Sequence, residues 1–164
     1  MDSVDLEVLR NASAWFKAGH AVVMATVVKT WGSAPRPLGA MLAIRADGQL
    51  SGSVSGGCVE GDLVERVHQH KLASDKPELA TYGVSKEQAD RYQLPCGGTL
   101  QLVLEPVKDD SGLDELLLAI ERHELMARFL DLETGKSRLE PGRWSDTLEF
   151  DGKVLKTVHG PRWR

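Results

Sequence analysis

The stretch Gly52-Ser53-Val54-Ser55-Gly56-Gly57-Cys58-Val59-Glu60-Gly61-Asp62 sets four glycines, two serines and a cysteine directly before a helical pattern. Its glycines reach conformations closed to other residues and let a ligand approach the main chain. A helical pattern follows at once, with Val59, Leu63, Val64 and Val67 in phase to about Leu72. A glycine-rich loop that opens a helix turns successive N–H groups toward one point and forms an anion pocket. A thiol placed there, Cys58, loses its proton more easily. Glu60 and Asp62 suit the helix dipole but compete with a bound phosphate. The structural alternative is a tight strand-to-helix turn around a buried cysteine.

The surrounding chain predicts an α+β domain, a mixed β-sheet with flanking helices and glycine-rich loops at strand ends. Residues 4–18 are amphipathic, and Gly19 is placed to end that helix. Ala21 to Val28 is a valine-rich apolar run, as in a strand buried on both faces. Ala40–Ile44 and Gln49–Val54 flank Asp47-Gly48, a hairpin signal. Leu79–Tyr82 is a short strand. Ser85 to Tyr92 has capping-box spacing for a brief helix. From Thr99, the alternation of Leu100, Leu102 and Leu104 predicts a half-buried strand to Glu105-Pro106. Residues 108–112 are a polar link, and Ser111 with Asp114 has capping-box spacing before the stripe Leu113, Leu116, Leu117 and Ile120. Met126–Leu132 and a hairpin in 147–158 around Asp151-Gly152 complete the expected elements. The boundary divides the chain into 1–107, which holds the loops, and 108–164, a helix and hairpin packed on it.

Composition narrows the function classes. At 164 residues with a net charge of −4, the chain has no basic patch to hold nucleic acid. No apolar run is long enough to span a bilayer, and the acidic start is not a signal peptide, so a cytoplasmic location is expected. Two cysteines make neither a disulfide framework nor a four-ligand structural zinc site. His68 and His70, two apart on a helix, diverge and read as solvated surface rather than a metal pair.

Three loops carry the candidate chemistry. Thr30-Trp31-Gly32-Ser33-Ala34-Pro35-Arg36-Pro37 fixes Arg36 between prolines, where its fork could clamp a phosphate or pair with a surface acid. Trp31 could stack on a flat ligand or pack in the core. The second loop offers Ser55, Gly56, Gly57 and Cys58, and the third Cys96, Gly97 and Gly98. Soft thiolates select soft metals and sulfur chemistry over magnesium or calcium.

These three motifs resemble those of the xanthine dehydrogenase accessory factor family, the XdhC/CoxI type, in order from about residue 6 to residue 107. The resemblance implies an accessory protein for molybdenum hydroxylases. Such a protein transiently binds molybdenum cofactor (molybdopterin), shelters it while a cysteine desulfurase supplies its sulfido ligand, and delivers it to the apoenzyme. It implies Ser33, Arg36, Ser55, Gly56, Gly57, Cys58, Cys96, Gly97 and Gly98 as cofactor-binding residues. Cys58 and Cys96 are the candidate molybdenum-contacting thiols. A homo-oligomer is expected, with no nucleic acid or membrane partner. The rival expectation is a thiol-dependent sulfurtransferase with a persulfide on Cys58. Relatives of this type usually continue into a Rossmann domain. The segment His159-Gly160-Pro161-Arg162-Trp163-Arg164 reaches the point where that domain would begin, so a fragment of a longer protein or a short relative is expected.

Overall fold

The computed structural model describes residues 3–31, 36–55, 59–69, 73–83 and 99–160. The expected helix at 85–92, His70 and the loop around Cys96 lie outside them. Helix α1 spans Ser3–Lys17, followed by strand β1, Val22–Trp31. Gly19 ends α1 with φ 95°, and its N–H bonds back to the Phe16 carbonyl at 3.0 Å. The Asp47-Gly48 hairpin joins β2, Met41–Arg45, to β3, Leu50–Gly52. Its Gly48 takes φ 101°, and the Arg45 N–H closes the turn on Gln49 O at 2.9 Å. Helix α2 spans Glu60–His68. Strands β4, Glu78–Tyr82, and β5, Thr99–Pro106, complete a five-stranded antiparallel sheet in the order β3-β2-β1-β5-β4. Next come a 3-10 turn at Asp109–Ser111, helix α3 at Leu113–Glu121, and strands β6, Met126–Asp131, and β7, Ser137–Pro141. Strands β8, Glu149–Phe150, and β9, Val154–His159, finish a second antiparallel sheet, ordered β7-β6-β9-β8. Among the described residues, three helices and two antiparallel sheets make an α+β fold.

Both faces of the first sheet are covered, as the unbroken valine run requires. Val23, Ala25, Val27, Leu42, Ile44, Leu102 and Leu104 pack under α2 through Val59, Leu63 and Val67. On the other face, Val22, Met24, Met41 and Ala43 meet α1 and α3. Farther along that face, Val28 and Val103 pack on Leu130 and Leu155 of the second sheet.

Strand β5 departs from the half-buried expectation. Leu102, Val103, Leu104 and Glu105 are consecutively buried, because the second sheet covers the face that alternation alone assigns to solvent. That cover brings a buried ion pair: Arg128 on β6 grips Glu105 through two nitrogens at 3.0 and 2.6 Å. Its Nε donates to the Ser111 carbonyl at 3.0 Å. The Ser111–Asp114 capping box does not form. Helix α3 starts after Gly112 at φ 75° with no side-chain cap. The Ser111 hydroxyl instead accepts from the Lys108 N–H at 2.8 Å, and Asp114 accepts from Ser13 at 2.6 Å and pairs with Lys17 at 2.9 Å. Strand β7 was not anticipated, since its exposed, polar sequence carries no apolar alternation.

Removing one member of a buried ion pair strands the other charge. Arg128→Leu is expected to destabilise the fold by about 3–5 kcal/mol in equilibrium denaturation. Pairing it with Glu105→Leu should restore most of that loss, and a double variant no better than the single would refute the coupling.

Candidate functional site

Strand pairing sets the flanking residues of the first and third loops side by side. The register sets Trp31 beside Thr99 and Tyr82 beside Leu100. The first loop therefore leaves β1 next to the residue where the third loop enters β5. Thr99 further ties the base of that third loop by donating its hydroxyl to the Gly83 carbonyl at 2.8 Å. The first loop then returns toward the second. Arg36 Nε donates to the Ser53 carbonyl at 3.2 Å, and its terminal nitrogen lies 3.8 Å from Asp5 of α1. Arg36 has thus found an acid, although 3.8 Å is long beside the 2.7–2.9 Å of a charge-assisted bond.

Glu60 organises the second loop. Only 6% of this residue is exposed. Its carboxylate accepts from the Ser53 hydroxyl at 2.8 Å, the Val54 N–H at 3.1 Å and the Ser55 N–H at 3.2 Å. The Ser55 hydroxyl donates to its other oxygen, and the Val59 N–H approaches that oxygen at 3.3 Å. Val59 N–H also donates to Ser55 Oγ at 3.0 Å. Burial, the largest single influence, pushes the Glu60 carboxyl up. The Ser55 and Ser53 hydroxyls with the Val54 and Ser55 amides outweigh it together, and the group stays below the ordinary range. Chemically, the chain has put its own carboxylate where an anionic ligand was expected. The N–H groups of Val54, Ser55 and Val59 are already given to it.

Two of the expected site residues are therefore placed. Arg36 spans the first and second loops, and Ser55, fully buried, braces Glu60. Ser33, Gly56, Gly57, Cys58, Cys96, Gly97 and Gly98 lie outside the described residues. Among the described residues, no group of three or more His, Cys, Asp or Glu could hold a metal ion. His68 is exposed as expected, with its Nδ1 3.0 Å from the Ala46 carbonyl. Asp62, the other first-turn acid, accepts from the Tyr82 hydroxyl at 2.7 Å, and Arg66 donates to that hydroxyl at 3.0 Å. Burial and Asp62 push the Tyr82 phenol well above its usual value, so it stays protonated. This cluster pins α2 to β4, the strand that leads into the third loop.

Residues 15–83 match the model of the XdhC and CoxI family. Over that segment the chain is similar to members of this family. It is 33% identical over 117 residues to the molybdenum cofactor insertion chaperone PaoD of Escherichia coli K12, an overlap of 71% of this chain and 36% of PaoD. It is 36% identical over 81 residues to the uncharacterized protein YqeB of the same organism, covering 49% of this chain and 15% of YqeB. The chain thus spans about a third or less of these relatives. A solved chain described as a xanthine dehydrogenase from Bacillus halodurans superposes with a TM-score of 0.70 at 20% identity, over 96% of this chain and 53% of that one. That likeness establishes the fold. Among the described residues, no helix is long and apolar enough to cross a membrane.

Glu60→Gln keeps one acceptor oxygen but turns the other into a donor facing buried amides and hydroxyls, so it should cost about 2–3 kcal/mol. The pH sign follows from the lowered folded pKa. Glu60 stabilises the fold fully above the unfolded value of about 4.3, and that contribution drains away as pH falls through the folded value. Denaturation midpoints of wild type and Glu60→Gln should therefore converge on acidification below about pH 4. A gap that stays constant down to pH 3 would overturn this reading of Glu60.

Proposed function

We propose that this chain binds molybdenum cofactor transiently and assists its insertion into a molybdenum hydroxylase of the xanthine dehydrogenase type. The 33% identity to a molybdenum cofactor insertion chaperone over most of this chain carries the reading. The loop geometry supports it. Arg36 is a cation at the junction of two loops, with one nitrogen given to a neutral carbonyl and a loose ion pair to Asp5. It fits a pterin phosphate better than the Val54, Ser55 and Val59 amides do, because those serve Glu60. Ser55 contributes by bracing that loop. Cys58 and Cys96, with Ser33 and the paired glycines, complete the proposed site, and residues 1–107 form its cofactor-handling part.

Bound cofactor supplies the molybdenum centre and its sulfur ligands; the chain's part is to hold it, orient it and shield it from water. Soft thiolates at positions 58 and 96 match a sulfur-ligated metal. Sulfuration during this residence, with a cysteine desulfurase as donor, belongs to the same proposal.

The test is to incubate the purified chain with molybdenum cofactor, separate unbound material, and assay retained molybdenum and pterin. Wild type should retain both. Arg36→Ala should weaken binding by about 1.5–3 kcal/mol, the range for a hydrogen bond to a charged group. Arg36→Lys should recover part of it, since an ammonium cannot reproduce the planar fork. Cys58→Ser should lose stable retention. Unchanged affinity in both Arg36 variants would remove the phosphate clamp, and no retention by wild type would overturn the accessory role. Sulfane sulfur turning over on Cys58 without retained cofactor would favour the sulfurtransferase reading instead.

A further inference from the structure

Arg36 is held at two unequal points. Its Nε donates to the Ser53 carbonyl at 3.2 Å, whereas Asp5 stands 3.8 Å from a terminal nitrogen. At that separation the pair attracts without the short bond of 2.7–2.9 Å that would lock it. The two side chains are 22% and 15% exposed, so salt and water screen the attraction only in part. An anion that reaches the terminal nitrogens of Arg36 therefore meets a negative charge already in place.

Helix α1 pins that charge in position. The Asp5 carboxylate accepts from the Met41 N–H at 3.3 Å, where β2 begins. Val8, Leu9 and Ala12 of the same helix are buried in the core. Gly52 lies so close under the helix that a side chain there would collide with Val8 and the Met41 carbonyl. Asn11 adds a bond from its Nδ2 to Ser51 Oγ at 2.9 Å. Asp5 is in the first turn of α1, where the dipole favours an acid. The dipole would be served as well by an acid turned to solvent, so the placement opposite Arg36 calls for a second reason.

We propose that Asp5 is a built-in competitor for the anion that Arg36 receives, and that it sets how fast that anion leaves. The inference rests on the cofactor reading above, which makes Arg36 the phosphate contact, and adds the group that limits its hold. With a phosphate bound, the terminal nitrogens of Arg36 turn to it while Nε keeps the Ser53 carbonyl. Asp5 stays behind on α1, repels the bound charge, and takes the guanidinium back on release. It acts through Arg36 and needs no contact with the cargo. A purely structural ion pair makes the opposite forecast, because loss of the Asp5 charge would then loosen Arg36 and weaken binding. The sign of the effect decides between them.

Asp5→Asn is nearly isosteric, keeps an oxygen for the Met41 N–H and removes the charge. Release of molybdenum cofactor from the loaded chain is timed after dilution. Inorganic phosphate, a probe with neither pterin nor metal, is titrated separately by phosphorus NMR. Asp5→Asn should slow cofactor release about tenfold and tighten phosphate by a similar factor. In an Arg36→Ala background the same substitution should change neither. Asp5→Ala is the second neutral variant, and thermal melts show that each variant folds; a gain in affinity cannot arise from misfolding. Equal or faster release from both folded variants sinks the competitor and leaves the accessory role standing. Tightening that persists without Arg36 is a general field effect and also refutes it. Cofactor refused by every chain, with phosphate bound more tightly by Asp5→Asn through Arg36, supports the competitor and overturns the accessory role. Neither ligand held by any chain overturns both.

Discussion

A carboxylate withdrawn from water must recover its hydration from the protein, and Glu60 recovers it entirely from the loop it follows. Five donors converge on it, from the Ser53 and Ser55 hydroxyls and the Val54, Ser55 and Val59 amides. Each donor fixes one point of a segment whose glycines would otherwise leave it loose. Gly52 enters the segment at φ 88°, a conformation that a side chain would strain. Val54 and Val59 then fall into the core under α2, so the polar knot and the apolar core hold each other in place. Further consequences follow from this arrangement. Ser53 turns its carbonyl to Arg36, which gives the first loop a landing point and places a cation where two loops meet.

The second sheet matters for a different reason. By covering Val28 and Val103 it converts β5 from a strand with one wet face into one buried throughout its middle, and the Glu105–Arg128 pair becomes possible only then. Burying two charges brings little net stability, yet it disfavours other registers, because any slip strands both ions. The same packing carries β9 against the first loop's return. That juxtaposition creates a cleft bounded by Thr157 and His159. The distance in sequence between Asp5 and His159 is nearly the whole chain, so no local pattern could announce it.

What was legible followed local physics. The valine run from Ala21, the two Asp-Gly hairpins and the stripe in α3 depend on period and turn chemistry, and each became the expected element. Misreadings arose where tertiary contacts took over a group that local rules had assigned elsewhere. Ser111 and Asp114 have capping-box spacing, but Lys108, Ser13 and Lys17 outcompete the cap. Glu60 has the place of a dipole-matching acid that competes with a bound phosphate, and two serines within seven residues upstream draw it inward as its donors. That serine spacing was the available signal. Nothing comparable marked β7, a mostly polar strand whose Leu139 is only partly buried.

The internal carboxylate also bears on how firmly an anion can be held. Had the amides of Val54, Ser55 and Val59 been turned outward, they and the helix end would have formed a preorganised phosphate cradle, strong and costly to vacate. With those amides committed to Glu60, attraction for an anion near the described loops falls mainly to Arg36, and Asp5 opposes it from 3.8 Å away. On the proposed reading, binding is an exchange in which the ligand's phosphate replaces a weak ion pair that re-forms when the ligand leaves. That exchange suits a protein whose task ends in release. A carrier that bound the phosphate through a full amide nest would have to overcome its own affinity at every delivery. Here the competing carboxylate is supplied by α1, so the position of one helix sets both the resting partner of Arg36 and one wall of the cleft beside it.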